Sequence, residues 1–229
     1  MVRDQELSIL DEKPAGRKSI ITRSVPSSKR KDAYLWIEDQ IKQGRQAFVV
    51  CPLVEDSDAI EAKSATSEWQ RLSEVVFPHL KIGLVHGKLK QDEKDEIMLK
   101  FKNQELDILV ATTVIEVGID IPNASIIIIE AAERFGLAQL HQLRGRVGRG
   151  EHQSYCFLFP ESKSDTTRKR MKAMVDYDDG FKLSEIDLDL RGPGEVYGVR
   201  QSGIPDLKMS SLADTKLVSQ AREAAEYVM

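Results

Sequence analysis

The chain has 229 residues, of which 41% are hydrophobic and 31% charged, and a formal net charge of −4. That size holds one sizeable core, or one core with an appendage. The acidic balance excludes a generally basic, histone-like nucleic-acid binder but leaves room for a local basic stripe; no apolar run reaches the length of a membrane span, and the first residues lack a signal-peptide core.

Residues 1–27 read as a lead-in segment, with a turn at 11–16 and an edge strand at 19–22. Ser28 is placed to cap a helix that carries Tyr34, Ile37 and Ile41 on one face and closes at Gly44. Residues 47–51 are a continuous apolar run stopped by Pro52, and a charged loop at 56–58 leads to a helix near 67–76. The next strand, 81–85, ends at His86-Gly87, and a charged helix at 91–102 turns Ile97, Met98 and Phe101 inward. Strands follow at 107–111 and 124–129, then an arginine-rich helix over 139–150, then a strand at 155–159 closed by Pro160. Short Val and Ile runs alternating with amphipathic helices predict an α/β fold: a parallel sheet covered on both faces. The unusual residues gather where strands end, at Cys51-Pro52, His86-Gly87, Thr112-Thr113 and Glu130. In open α/β sheets the ligand sits outside those carboxyl ends.

After Glu161 the composition shifts. Residues 164–175 are basic and amphipathic, 176–180 form a turn, and 181–190 make a second helix that stops at Arg191-Gly192-Pro193-Gly194. A last helix covers 212–229, with Leu217, Ala221, Ala224 and Val228 near one face. The expected division is a lead-in at 1–27, an α/β domain at 28–160 and a helical appendage at 161–229. Cys51 and Cys156 sit in apolar runs with no CxxC pairing and read as buried thiols. The four histidines show no HxxxH or HExxH spacing, so no metal site is expected.

Residues 139–150 concentrate the chemistry. On a helical wheel Leu140, Leu143 and Val147 share one face, while Gln142, Arg146 and Arg149 share the opposite one. Gly145 and Gly148 each cost about 1 kcal/mol against Ala inside a helix, which points to a close approach to the backbone. Guanidiniums grip phosphate bidentately, so the face reads as a polyphosphate site. Arg144 lies nearer the apolar side and is expected to make an internal ion pair. The second chemical stretch, 111–122, follows a strand directly. Thr112 and Thr113, beside backbone N–H groups at a helix start, make a seat for phosphate, and Asp120 between Gly118 and Pro122 is placed to accept from sugar hydroxyls. Glu116 and Glu130 are placed to orient arginines. His86 and His141 read as packing or turn residues.

Together these stretches resemble the second motor domain of superfamily 2 helicases, motors with two RecA-like domains and ATP between them. Residues 112–122 match the family's fifth motif and 142–149 its sixth. The resemblance extends to His86-Gly87-Lys88-Leu89, Arg134-Phe135-Gly136-Leu137, residues 139–150 and Leu190-Arg191-Gly192-Pro193-Gly194-Glu195. These look like the RecG-type branched-DNA translocases over nearly the entire chain. Asp179-Gly180-Phe181, Asp187-Leu188, Arg191-Gly192-Pro193-Gly194 and Gln201-Ser202-Gly203 resemble that group's translocation motif. The related transcription-repair coupling translocases carry Ala where Pro193 stands, so Pro193 favours the RecG branch.

The resemblance implies a RecA-like, P-loop NTPase-type sheet with helices on both faces and a helical translocation-motif appendage. It implies that Arg146 and Arg149 are arginine fingers toward the γ-phosphate, worth about 10³–10⁵ in rate. Gln142 would place the phosphate or the attacking water, and Gly118 and Asp120 would sit by the ribose. Thr112 and Thr113 would face the DNA backbone or couple it to the cleft, and Arg170, Arg191 and Gln201 would link hydrolysis to movement on duplex DNA. The cofactor implied is ATP with Mg2+. The partners are branched duplex DNA, at stalled forks and Holliday junctions, and the first motor and wedge domains of the same parent chain. The setting implied is the bacterial cytoplasm, at the nucleoid. The sequence has no Walker A loop and no acidic magnesium box, so it reads as a fragment that supplies half an ATP site and little turnover alone. A module that holds nucleic acid without hydrolysis is the competing class. A metabolic α/β enzyme ranks third, since no GxGxxG follows the first strand.

Overall fold

The computed structural model describes residues 18–52, 58–112 and 121–191, with the backbone alone at 58–63 and 191. Six parallel strands form one sheet in the order β1-β6-β5-β2-β4-β3. They are β1 (Ile21–Ser24), β2 (Gln46–Cys51), β3 (Ile82–Val85), β4 (Ile108–Thr112), β5 (Ala124–Glu130) and β6 (Tyr155–Phe159). The four inner strands are apolar on successive residues because both faces of the sheet are covered, and every residue of β2, β4 and β5 is buried.

The pleat divides this burial between two cores. Ala47, Val49, Ile108, Val110, Ile126 and Ile128 face α1 (Arg30–Lys42) and α2 (Asp58–Arg71), where Tyr34, Ile37, Ile41, Ala65 and Leu72 meet them. Phe48, Val50, Leu109, Ile127 and Ile129 face the opposite side, which holds α3 (Gln91–Lys102) and α4 (Leu137–Arg144). α5 (Asp165–Asp176) and α6 (Gly180–Arg191) add Met171, Ala173, Met174 and Leu183 to that same core. The start of the appendage is therefore continuous with the sheet's packing. Within the segment expected as a lead-in, β1 pairs in register with β6 and closes one edge of the sheet.

Three helices differ from the sequence pattern: α1 follows a 3-10 turn at Ser27–Lys29 and takes no side-chain cap from Ser28. α2 begins at Asp58, well before residue 67, and ends in a π turn at Leu72–Val76. α4 stops at Arg144 instead of running to residue 150. α3 and β6 fall where the pattern puts them. α5 starts on a capping hydrogen bond from Thr167 N to Ser164 Oγ of 3.1 Å, the standard way to satisfy an orphan first-turn donor.

Candidate functional site

The arginine segment is built as a short helix with a non-helical extension. Leu137, Leu140 and Leu143 anchor α4 in the core. Gly145 caps it, and the backbone then turns, reaching φ +83° at Gly148. Past Arg144 the bonds tighten to Arg146 N–Leu143 O and Val147 N–Arg144 O, and the left-handed value at Gly148, which suits glycine, then turns the chain away, so Gln142, Arg146 and Arg149 do not share one continuous helical face. Gln142 and Arg149 are exposed and Arg146 is half-buried. The close approach that the glycines suggested lies at Gly150: a Cβ there would stand 2.3 Å from the Pro122 carbonyl oxygen. This contact seats the end of the segment against the chain that enters β5. It also brings Arg149's neighbour to Pro122, two residues after Asp120. The arginine segment thus lies beside the amino end of β5, away from the carboxyl rim expected to be the working edge.

Arg144 makes the internal pairing expected of it, and more. Its side chain is 4% exposed, and the guanidinium lies 3.3 Å from Asp178 Oδ1. Nη1 donates to the carbonyls of Met174 and Tyr177 at 2.9 and 3.1 Å and to Thr22 Oγ1 at 3.4 Å. Nη2 lies 2.9 Å from His141 Nδ1. The His141 ring in turn lies over Gly180, where a Cβ would meet its Cδ2 at 3.0 Å. One guanidinium therefore bolts the end of α4 to β1 and to the α5–α6 turn, and His141 is the packing residue expected.

Arg170 makes the second bolt. It donates to the carbonyl of Glu133 at 2.8 Å and to that of Phe135, and it pairs with Asp187 on α6 at 3.3 Å. It is not part of a solvated basic face. The Glu133 carboxylate accepts from the backbone of Glu161 and Ser162 at 3.2 and 2.8 Å. The turn at Glu133–Phe135, which feeds α4, is so held by the appendage on both sides. Thr112 ends β4 fully buried, with no hydrogen-bond partner on its hydroxyl among the described residues. Thr113, Glu116, Gly118, Asp120 and Gln201 lie outside the described residues, as does the side chain of Arg191 at the end of α6.

Sequence reasoning missed a polar cleft of about 470 Å³ at the carboxyl ends of β2 and β5. Glu130, 8% exposed, is its hub. Arg30 Nη1 lies 3.3 Å from Glu130 Oε2, Tyr34 Oη donates to Oε1 at 3.3 Å, and Arg71 Nη2 stands 4.0 Å away. Arg71 also holds Glu68 through two short bonds, of 2.6 and 2.9 Å, and donates to Tyr34 Oη at 2.6 Å. Burial pushes the Glu130 carboxyl up to about 7; the charge of Glu68 adds to the rise, and Arg30 and Arg71 oppose it. Burial likewise raises the Tyr34 hydroxyl and the Cys51 thiol, which leaves Cys51 an inert thiol. Glu130 does orient arginines, as its place in the sequence suggested. No sequence signal marked Arg30 or Arg71, because only the fold brings α1, α2 and β5 together.

Residues 29–151 match the family described as helicase conserved C-terminal domain. Residues 177–229 match the C-terminal part of domain 3 of the ATP-dependent DNA helicase RecG. The chain is 48% identical over 227 residues to the ATP-dependent DNA helicase RecG of Synechocystis sp., covering 99% of this chain and 27% of that protein. It is 47% identical over 223 residues to the Bacillus subtilis protein of the same description, covering 97% of this chain and 33% of that one. The chain thus spans about a quarter to a third of these relatives' length. Among solved structures, RecG bound to a three-way DNA junction matches with a TM-score of 0.67 at 48% identity, over 81% of this chain and 24% of that chain. Domain 2 of the Mss116p DEAD-box helicase, bound to an RNA duplex, shares the fold at a TM-score of 0.52 and 24% identity, over 69% of this chain and 61% of that one.

Proposed function

The chain belongs to the family of helicase conserved C-terminal domains, and from that membership we propose that it is the second motor half of an ATP-driven, RecG-type translocase acting on branched DNA. In this reading residues 28–160 are the motor domain and 161–229 the translocation appendage, working in the bacterial cytoplasm. ATP with Mg2+ supplies the phosphoanhydride whose hydrolysis drives the motor, and the metal ligands belong to the first motor domain. This chain contributes charge and linkage. Arg146 and Arg149 offer guanidiniums suited to a triphosphate, on a segment whose end is fixed by the Gly150–Pro122 approach. Gln142 places the terminal phosphate or the water, and Gly118 and Asp120 serve the ribose. Thr112 and Thr113 serve the DNA-side relay, and Arg170, Arg191 and Gln201 the coupling to movement.

The observation that carries this reading is Arg144. It is buried at the end of α4 and hydrogen-bonded to the turn between α5 and α6. A shift of the arginine segment on ATP binding would therefore move the appendage with it. Arg170 ties the other end of α4 to α6, so the helix cannot slide without the hairpin.

The test is complementation. This chain, joined to the first motor domain of a RecG-type helicase, is expected to show DNA-stimulated ATP hydrolysis that neither half shows alone. DNA binding with no hydrolysis by the joined protein would overturn the proposal in favour of a binding module.

A further inference from the structure

The cleft around Glu130 lies where this sheet would be expected to hold a ligand. β2 and β5 are neighbours in the sheet. The chain leaves β2 for α2 on one face and leaves β5 for α4 on the other. Between two such strands the outgoing connections diverge and open a crevice at the carboxyl ends, the switch point at which open α/β sheets bind ligands. Here the crevice is lined by Arg30 from α1, Arg71 from α2 and Arg134 from the turn after β5. Three guanidiniums are brought together from three elements, and the same lining holds the carboxylates of Glu68, Glu130 and Glu161, so an incoming anion must displace a carboxylate to reach the forks. Among the described residues the buried Nε of Arg30 has no hydrogen-bond partner.

What holds these arginines now is carboxylate. We propose that the cleft is a phosphodiester site, in which a backbone phosphate of a nucleic-acid strand takes Arg30 and Arg71 over from Glu130. The proposal rests on the nucleic-acid reading given above, and adds to it a site made by none of the residues assigned there. A strand is favoured over a nucleotide because of position. Glu130 ends β5, whereas Gly150 and the arginine segment proposed for ATP lie against Pro122, before β5 begins. The seven residues of β5 separate the two sites by roughly 20 Å.

The exchange is balanced by a proton. A phosphodiester keeps its charge throughout the neutral range, whereas burial leaves the Glu130 carboxyl easily protonated there. When the phosphate enters, Glu130 takes up a proton from solvent and its two guanidiniums turn to the incoming oxygens. The charged and titratable groups around Glu130 are Arg30 and Tyr34 from α1, Glu68 and Arg71 from α2, the Cys51 thiol from β2, Arg134 from the following turn, and Glu161 after β6. Of these, Glu68 is held by Arg71 through two bonds, so Glu130 is the carboxylate more readily displaced.

The experiment measures fluorescence anisotropy of a labelled 30-base-pair DNA duplex with this chain at low salt, at pH 6 and pH 8, with unlabelled duplex or Mg2+-ATP as competitor. The wild-type chain is expected to bind several-fold more tightly at pH 6. Glu130→Gln should bind at pH 8 as tightly as the wild type does at pH 6, with little pH dependence left; a gain of this kind cannot arise from misfolding. Arg71→Gln should weaken binding several-fold and lower the salt slope by about one. Unchanged binding in both variants, with the wild type still holding duplex, would overturn the site and leave the nucleic-acid reading standing. Loss in Arg71→Gln of Mg2+-ATP competition alone would overturn the assignment to a strand. No duplex binding by the wild type would overturn the site and the broader reading together.

Discussion

Replacing Arg144 by methionine keeps most of the side chain's volume and removes its charge and its fork. The guanidinium is buried and donates to two main-chain carbonyls in the α5–α6 region, at Met174 and Tyr177. Hydrogen bonds from a charged donor contribute about 1.5–3 kcal/mol each, and a stranded buried carbonyl costs about 1–3 kcal/mol. The bond to Thr22 at 3.4 Å is long, and Asp178 is 46% exposed, so both add little. The expected loss is on the order of 3–5 kcal/mol, a fall in Tm of about 10 °C for a chain of this length. Because the strongest of the lost bonds, to Met174 and Tyr177, tie the appendage to α4, the damage should be local. Calorimetry would give the total, and amide hydrogen exchange would show α5 and α6 losing protection while β2, β4 and β5 keep theirs. Arg144→Lys should recover little, since an ammonium cannot reproduce the fork. A loss below about 1 kcal/mol, or unchanged protection in α5 and α6, would refute the idea that this residue fastens the appendage to the arginine segment.

Gly150→Ala places a Cβ 2.3 Å from the Pro122 carbonyl oxygen, a main-chain atom that cannot rotate away. It should cost about 1–3 kcal/mol in urea melts, and a cost near zero would mean that the approach is not tight. Glu130 predicts a pH dependence whose sign follows from its raised carboxyl. The fold favours the neutral form, so the stability it adds is complete below about pH 4.5 and is lost as pH rises through about 7. The stability of the wild type relative to Glu130→Gln should fall by on the order of 3 kcal/mol across that window, and a rise would reverse the assignment. In the joined motor, Arg170→Ala should impair DNA unwinding more than ATP hydrolysis, since it frees α6 from the turn at Glu133–Phe135. Equal loss of both activities would count against a linking role.

Much of the fold could be read from the residues because the inner strands are buried on both faces. Their Val and Ile runs need no alternation, and the ends of β2 and β6 are marked by Pro52 and Pro160. Helix limits were harder. The 3.6-residue pattern of 139–150 carries apolar residues through to Val147, yet the backbone leaves the α-helix at Gly145, tightens to i→i+3 bonds and turns left-handed at Gly148. Periodicity sees side chains and not backbone sign. Arg144 was readable from its place on the apolar side of the wheel. Its partners at Met174 and Tyr177 were not, since main-chain carbonyls leave no mark in a sequence. The Arg30–Arg71–Glu130 cleft was hidden for the same kind of reason. Each residue alone looks like a solvated charge or a strand end, and only the divergence of the chain at β2 and β5 makes them a site.

The central claim is that Arg146 and Arg149 complete an ATP site whose other half lies on a neighbouring motor domain. Single-turnover ATP hydrolysis by the joined motor, with duplex DNA present, tests it most directly. Arg146→Ala and Arg149→Ala should each slow the chemical step by about 10³-fold or more while ATP still binds. Hydrolysis at the wild-type rate in both variants would contradict the claim.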